Sequence, residues 1–124
     1  MRLYLNTSTE KCEIWLDNSY YSWVAGRELS VKLLGFLRDC LVKEGRDFSS
    51  ISSIVVFRGP GSYTSLRIGL TVANTLAQSL SVPIVGTIHE NWRSEGDERL
   101  AEAQNDEIVT PIYLQPAVIT KPRK

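Results

Sequence analysis

Gly59-Pro60-Gly61-Ser62 is the segment of this chain best suited to chemistry. It separates an apolar run, residues 54–57, from a helical pattern, and a glycine-rich turn in that place can point backbone N–H groups at an anion. Asn6-Thr7-Ser8-Thr9 is a second turn of short polar side chains. Asn6, Thr7, Gly59, Gly61 and Ser62 together form a possible anion or nucleotide loop. The alternative is a tight turn with Ser62 as a helix N-cap. No Lys-Ser/Thr pair follows at Walker A spacing, and the glycines do not bracket Ser62 as in a GxSxG nucleophile elbow. The only histidine, His89, has no marked nucleophile nearby for a triad. Cys12 and Cys40 form no CxxC or Cys/His cluster and read as reduced, buried or half-buried thiols. One histidine and two scattered cysteines make no transition-metal site. Asp17, Asp39 and Asp47 stand singly and read as solvated charges. No catalytic residue, metal or cofactor is expected.

The chain has 124 residues, with 43% hydrophobic and 23% charged. That suits one domain burying roughly two-thirds of its unfolded surface. Lys plus Arg equals Asp plus Glu, so the net charge is zero. Proteins that grip nucleic acid alone carry a basic excess, because phosphate neutralisation dominates affinity. Any RNA contact is therefore expected to be local or assisted by a partner. No apolar run approaches the ~20 residues that span a bilayer, so no membrane is expected. Met1 to Leu5 runs straight into a strand pattern without a charged-then-apolar leader, so a cytoplasmic protein is expected.

Period and punctuation place the elements. Leu3-Tyr4-Leu5 is a short apolar run. Residues 12–16 and 20–24 read as two more strands around an Asp17-Asn18-Ser19 turn, so the chain opens as a meander. From Arg27 the period becomes helical: Leu29, Leu33, Phe36, Leu37 and Leu41 recur until Gly45 stops the pattern. With Leu34 the apolar arc is wider than one core-facing side needs. Ile54-Val55-Val56-Phe57 reads as a strand buried on both faces. A second helix is expected from about Tyr63 to Leu80, and a fifth strand at Pro83-Ile84-Val85-Gly86. Strand–helix–strand–helix–strand predicts right-handed parallel crossovers in an α/β sheet, with both helices on one face. On the second helix Gly69, Ala73 and Ala77 form a ridge of small side chains, flanked by Leu66, Leu70, Leu76 and Leu80. Such a ridge permits a close approach by a helix or a sheet. Core packing explains part of it, and a helix-mediated partner interface is the alternative. Residues 89–107 are acidic and polar. Arg99 to Gln104 carries a weak helical pattern, and Gly96 and Asn105 suit a solvated connector equally. Ile108 to Ile119 is apolar again, and Lys121 to Lys124 is basic and expected to fray.

The run from Ile54 through Gly59-Pro60-Gly61-Ser62-Tyr63-Thr64-Ser65-Leu66-Arg67-Ile68-Gly69-Leu70 closely resembles the TsaB (YeaZ-like) family signature GPGSFTGLRIGL. Ala73, Leu76-Ala77 and Pro83 to Gly86 continue the likeness. Leu3 to Thr9 resembles the family opening ILAIDTST, and Pro111-Ile112-Tyr113-Leu114-Gln115 resembles its P-x-YLR tail. The resemblance implies a single actin-like, RNase H-like (ASKHA) domain of α/β class, with a five-stranded mixed sheet in the order 3-2-1-4-5. It also implies a non-catalytic scaffold role in making threonylcarbamoyladenosine in tRNA. TsaB-like proteins pair with a TsaD-like catalytic subunit through their two helices and work with a TsaE-like ATPase, so tRNA is met only through the complex.

Departures qualify the expectation. The family carries a second domain between the helix region and the tail. Here the division expected is residues 1–88 as the domain, 89–110 as an acidic connector in place of the second domain, and 111–124 as the tail. Asn6 replaces an aspartate that in actin-like ATPases helps hold metal and phosphate. Ser65 replaces a glycine, Tyr63 a phenylalanine and Gln115 an arginine, and the metal-binding histidine pair of TsaD is absent. The expected partner interface is Leu34, Leu37, Leu41, Leu66, Gly69, Leu70, Ala73, Leu76 and Ala77, with Ala73→Arg expected to abolish the complex and spare the monomer. A homodimer through the same helices is the alternative when the chain is alone. A residual ATP-binding enzyme of the actin-like superfamily is the third reading.

Overall fold

A computed structural model of the chain describes residues 1–113. Strands β1 (Arg2–Asn6), β2 (Lys11–Leu16) and β3 (Ser19–Val24) form the opening meander. Helix α1 (Leu29–Lys43) leads to β4 (Ser53–Phe57), and α2 (Tyr63–Leu80) leads to β5 (Ile84–Thr87). Helix α3 (Trp92–Ala101) follows. The sheet order is β3-β2-β1-β4-β5, with β1 antiparallel to β2 and parallel to β4. This is the expected order, and the apolar runs explain it. All four residues of β5 are buried, as are the first four of β4, as strands covered on both faces must be.

One face carries α1 and α2. Leu29, Leu33, Leu37, Cys40 and Leu41 of α1 and Leu66, Leu70, Ala73 and Ala77 of α2 meet Leu3, Leu5, Ile14, Ile54 and Ile84 of the sheet. Alternation along β2 sends Cys12, Ile14 and Leu16 into this layer. Trp23 of β3 packs on Phe36 at 4.9 Å between ring centroids. The small-residue ridge lets α2 lie directly on β1. A Cβ at Gly69 would stand 2.7 Å from Thr7 Cγ2, so no larger residue fits.

The other face departs from expectation. The acidic stretch is neither a solvated connector nor a helix confined to 99–104. It holds α3, which packs on β4 and β5. Trp92, Gly96 and Leu100 recur at i, i+4 and i+8 and face the sheet. A Cβ at Gly96 would fall 2.7 Å from Val55 Cγ2. Tyr4, Val55, Val85 and Trp92 form a second core, with Trp15, Phe57 and Leu100 around it. Trp92 makes edge contacts with Tyr4, Trp15 and Phe57 at 6.4, 5.7 and 5.9 Å. Asp97 of α3 accepts hydrogen bonds from the Tyr4 hydroxyl at 2.6 Å and Arg2 Nη1 at 2.7 Å. Burial, with that bond to Asp97, pushes the Tyr4 phenol up to about 12. A three-residue apolar face was hidden by the charges between its members, so composition misread the segment.

Two outcomes follow from this packing. Trp92→Ala is expected to lower the unfolding free energy by about 3–5 kcal/mol, as large aromatic deletions from cores do; chemical denaturation measures it, and a loss under ~1 kcal/mol would place α3 off the sheet. Ala73 is fully buried, so Ala73→Arg drives an unpaired charge into the core and removes the folded monomer altogether. A cooperative thermal transition in that variant would contradict the placement of α2 on β1.

Candidate functional site

The two turns singled out by sequence do meet. Thr7 is buried, and its hydroxyl donates to the Ser65 carbonyl at 2.9 Å. The Ser8 N–H donates to Asn6 Oδ1 at 2.9 Å, and the Ser62 N–H donates to the Ser8 carbonyl at 2.9 Å. Gly59 has φ +124°, and a Cβ there would overlap the Ile112 carbonyl. The Gly59-Pro60 bond is cis. Ile112 donates its N–H to the Arg58 carbonyl at 2.8 Å, and Tyr113 bridges to Gly61. Asn6, Thr7, Gly59, Gly61 and Ser62 are thus brought together. The Ser62 N–H is engaged within the chain, and the 110–113 segment lies across the glycine turn. Ser62 occupies the N-cap position of α2, but its side chain makes no capping bond. The Ser65 hydroxyl, where the family motif has glycine, is buried without a partner among the described residues.

The other possible reagents are no closer to a catalytic arrangement. His89 is exposed, with φ +77°. It shares a shallow cleft with Arg58, Glu95, Glu98 and Arg99. Arg58 Nε donates to the Thr110 carbonyl at 2.9 Å. Cys12 and Cys40 are free and buried, and burial pushes their thiols up to about 12 and about 11. Thiols that stay protonated at neutral pH are poor nucleophiles. Among the described residues no cluster of His, Cys, Asp and Glu could hold a metal ion, and no helix is long and apolar enough to cross a membrane.

The helix face needs a correction. Leu37, Leu41, Leu66, Gly69, Leu70, Ala73 and Ala77, all expected at a partner interface, are buried in the chain's own core. Leu76 is half-buried, and Leu34 is 49% exposed. The sheet takes the widest apolar side of each helix, because that burial removes the most apolar area from water. The centre of each apolar arc, expected at the partner, is the part the sheet covers. The exposed apolar residues of α1 are instead Val31 at 81%, Val42 at 65% and Leu34. Val31, Gly35, Arg38 and Val42 follow a 4-3-4 spacing on the side opposite Leu33, Leu37 and Cys40. A Cβ at Gly35 would meet no atom within 4 Å. A groove of about 330 Å³ runs beside this stripe, lined by Trp23, Val31, Lys32, Gly35, Phe36 and Asp39. The 4-3-4 spacing was present in the sequence and would have found this second stripe.

The family model described as TsaD, tRNA N6-adenosine threonylcarbamoyltransferase, matches residues 23–97, more than half of the chain. The TsaB threonylcarbamoyladenosine biosynthesis protein of Escherichia coli is 31% identical over 82% of this chain and 48% of its own length. The TsaB protein of Haemophilus influenzae is 25% identical over 98% of this chain and 55% of its own. The chain therefore spans about half the length of the curated relatives it matches. The solved structure of YeaZ from Pseudomonas aeruginosa matches 77% of this chain and 49% of its own, with a TM-score of 0.63 at 30% identity. The five-stranded sheet and its helices are those of the actin-like fold. The chain belongs to the family of that threonylcarbamoyltransferase model, as a TsaB/YeaZ-like member.

Proposed function

We propose that this chain is a non-catalytic scaffold subunit in the formation of threonylcarbamoyladenosine in tRNA, and that it holds a TsaD-like catalytic subunit against the outer face of α1. The observation that carries this reading is the exposed stripe of Val31, Leu34 and Val42 around Gly35. Apolar patches kept out of the core mark interaction sites more often than scattered single residues do. The glycine leaves a notch into which a partner side chain fits. The engaged turn at Gly59–Ser62 and the protonated thiols support a role in assembly over one in catalysis. With no net charge to draw phosphate, tRNA is reached through the complex, in which a TsaE-like ATPase also acts.

A homodimer through the same face is a second reading. The Val31, Leu34 and Val42 stripe left open on α1 would then be covered by its own copy in an isologous interface. The homodimer would then exchange for the heterodimer.

Val31→Asp with Val42→Asp tests both. The substitutions lie on surface and are expected to leave stability within about 0.5 kcal/mol. Affinity for the TsaD-like protein of the same cell is expected to fall at least about 30-fold, the loss typical of an interface hot spot. Titration calorimetry reads it, and unchanged affinity contradicts the interface. For the second reading, light scattering of the wild-type chain is expected to show a dimer that the double variant lacks. A strict monomer at high concentration removes that reading.

A further inference from the structure

Strand β5 ends the sheet, and it would ordinarily present a row of open backbone groups to solvent. Here that row is full. The outward residues are Ile84 and Gly86. Ile84 donates its N–H to Asn105 Oδ1 at 3.1 Å, and its carbonyl accepts the Asp106 N–H at 2.8 Å. Gly86 donates its N–H to Asp106 Oδ2 at 2.8 Å, and its carbonyl accepts from Arg99 Nη1 at 3.0 Å.

The segment that supplies these partners is not a strand, yet it is anchored like one. Arg99 grips Asp106 with both terminal nitrogens, Nη1 to Oδ2 at 3.0 Å and Nη2 to Oδ1. Asn74 of α2 takes the Val109 N–H on Oδ1 at 2.8 Å and donates from Nδ2 to the Val109 carbonyl at 2.9 Å. Val109 is 4% exposed and covers Gly86, where a Cβ would overlap it.

The strand beneath invites pairing. Residues 82–88, Val-Pro-Ile-Val-Gly-Thr-Ile, carry no charge and are rich in β-branched side chains. An uncharged, β-branched window on an open edge is a template for pairing with another chain, a second copy included. We infer that residues 105–109 act as an edge guard, a surrogate sixth strand that keeps β5 from adding the β5 of a second copy.

The test is Asn105→Ala with Asp106→Ala, placed in the Val31→Asp, Val42→Asp background so that helix-mediated association cannot imitate the result. Amide exchange at Ile84 and Gly86 is expected to quicken by about tenfold or more while Leu5 and Ile54 stay protected. Light scattering is expected to show a concentration-dependent dimer or larger assembly absent from the background chain. Retained protection at Ile84 and Gly86 overturns the guard. Lost protection with no change of assembly overturns it too. Should Leu5 and Ile54 also lose protection, Asn74→Ala, which frees only Val109, carries the same two measurements.

Discussion

Helix α2 meets the chain just beyond the end of β1, where Gly69 packs on Thr7, and most of the molecule follows from that approach. With no side chain at Gly69, the helix backbone settles against the strand, and Thr7 is close enough to donate to the Ser65 carbonyl. That bond draws the β1–β2 turn beneath the start of α2, where Ser8 accepts from Ser62. The glycine turn between β4 and α2 is thereby set, and the 110–113 segment closes over it. A sequence that reads as a phosphate cradle is a packed junction, with the Ser62 N–H on Ser8 and Ile112 against Gly59.

The parts legible in the sequence are those with a strong period and their own punctuation. The meander, the Gly45 stop and the doubly buried β4 and β5 needed only alternation, apolar runs and turn residues. The order β3-β2-β1-β4-β5 came from resemblance, since pairing partners lie far apart in the chain. Helix α3 was hidden because three residues, Trp92, Gly96 and Leu100, carry its packing among charges. Gly96, the residue most like a connector, is where the helix must touch Val55. The candidate interface was misplaced for a related reason. A helical wheel shows how wide an apolar arc is, not how far the sheet reaches into it.

Helix α1 illustrates the division of labour. Leu33, Leu37, Cys40 and Leu41 belong to the core. Val31, Gly35 and Val42 are left outside on the opposite side, where a second apolar stripe contributes nothing to the fold of the monomer. At the far end of the sheet the chain does the reverse, covering an apolar edge with Asn105, Asp106 and Val109. An open helix face and a covered β5 edge together suit the proposed scaffold role.

The proposal that the outer face of α1 receives the TsaD-like subunit is decided by methyl resonances of the valines, followed while that subunit is titrated in. Val31 and Val42 are expected to shift or broaden while Val55 and Val85, buried in the sheet, stay in place. Unmoved signals from Val31 and Val42 in a complex that has formed would contradict it.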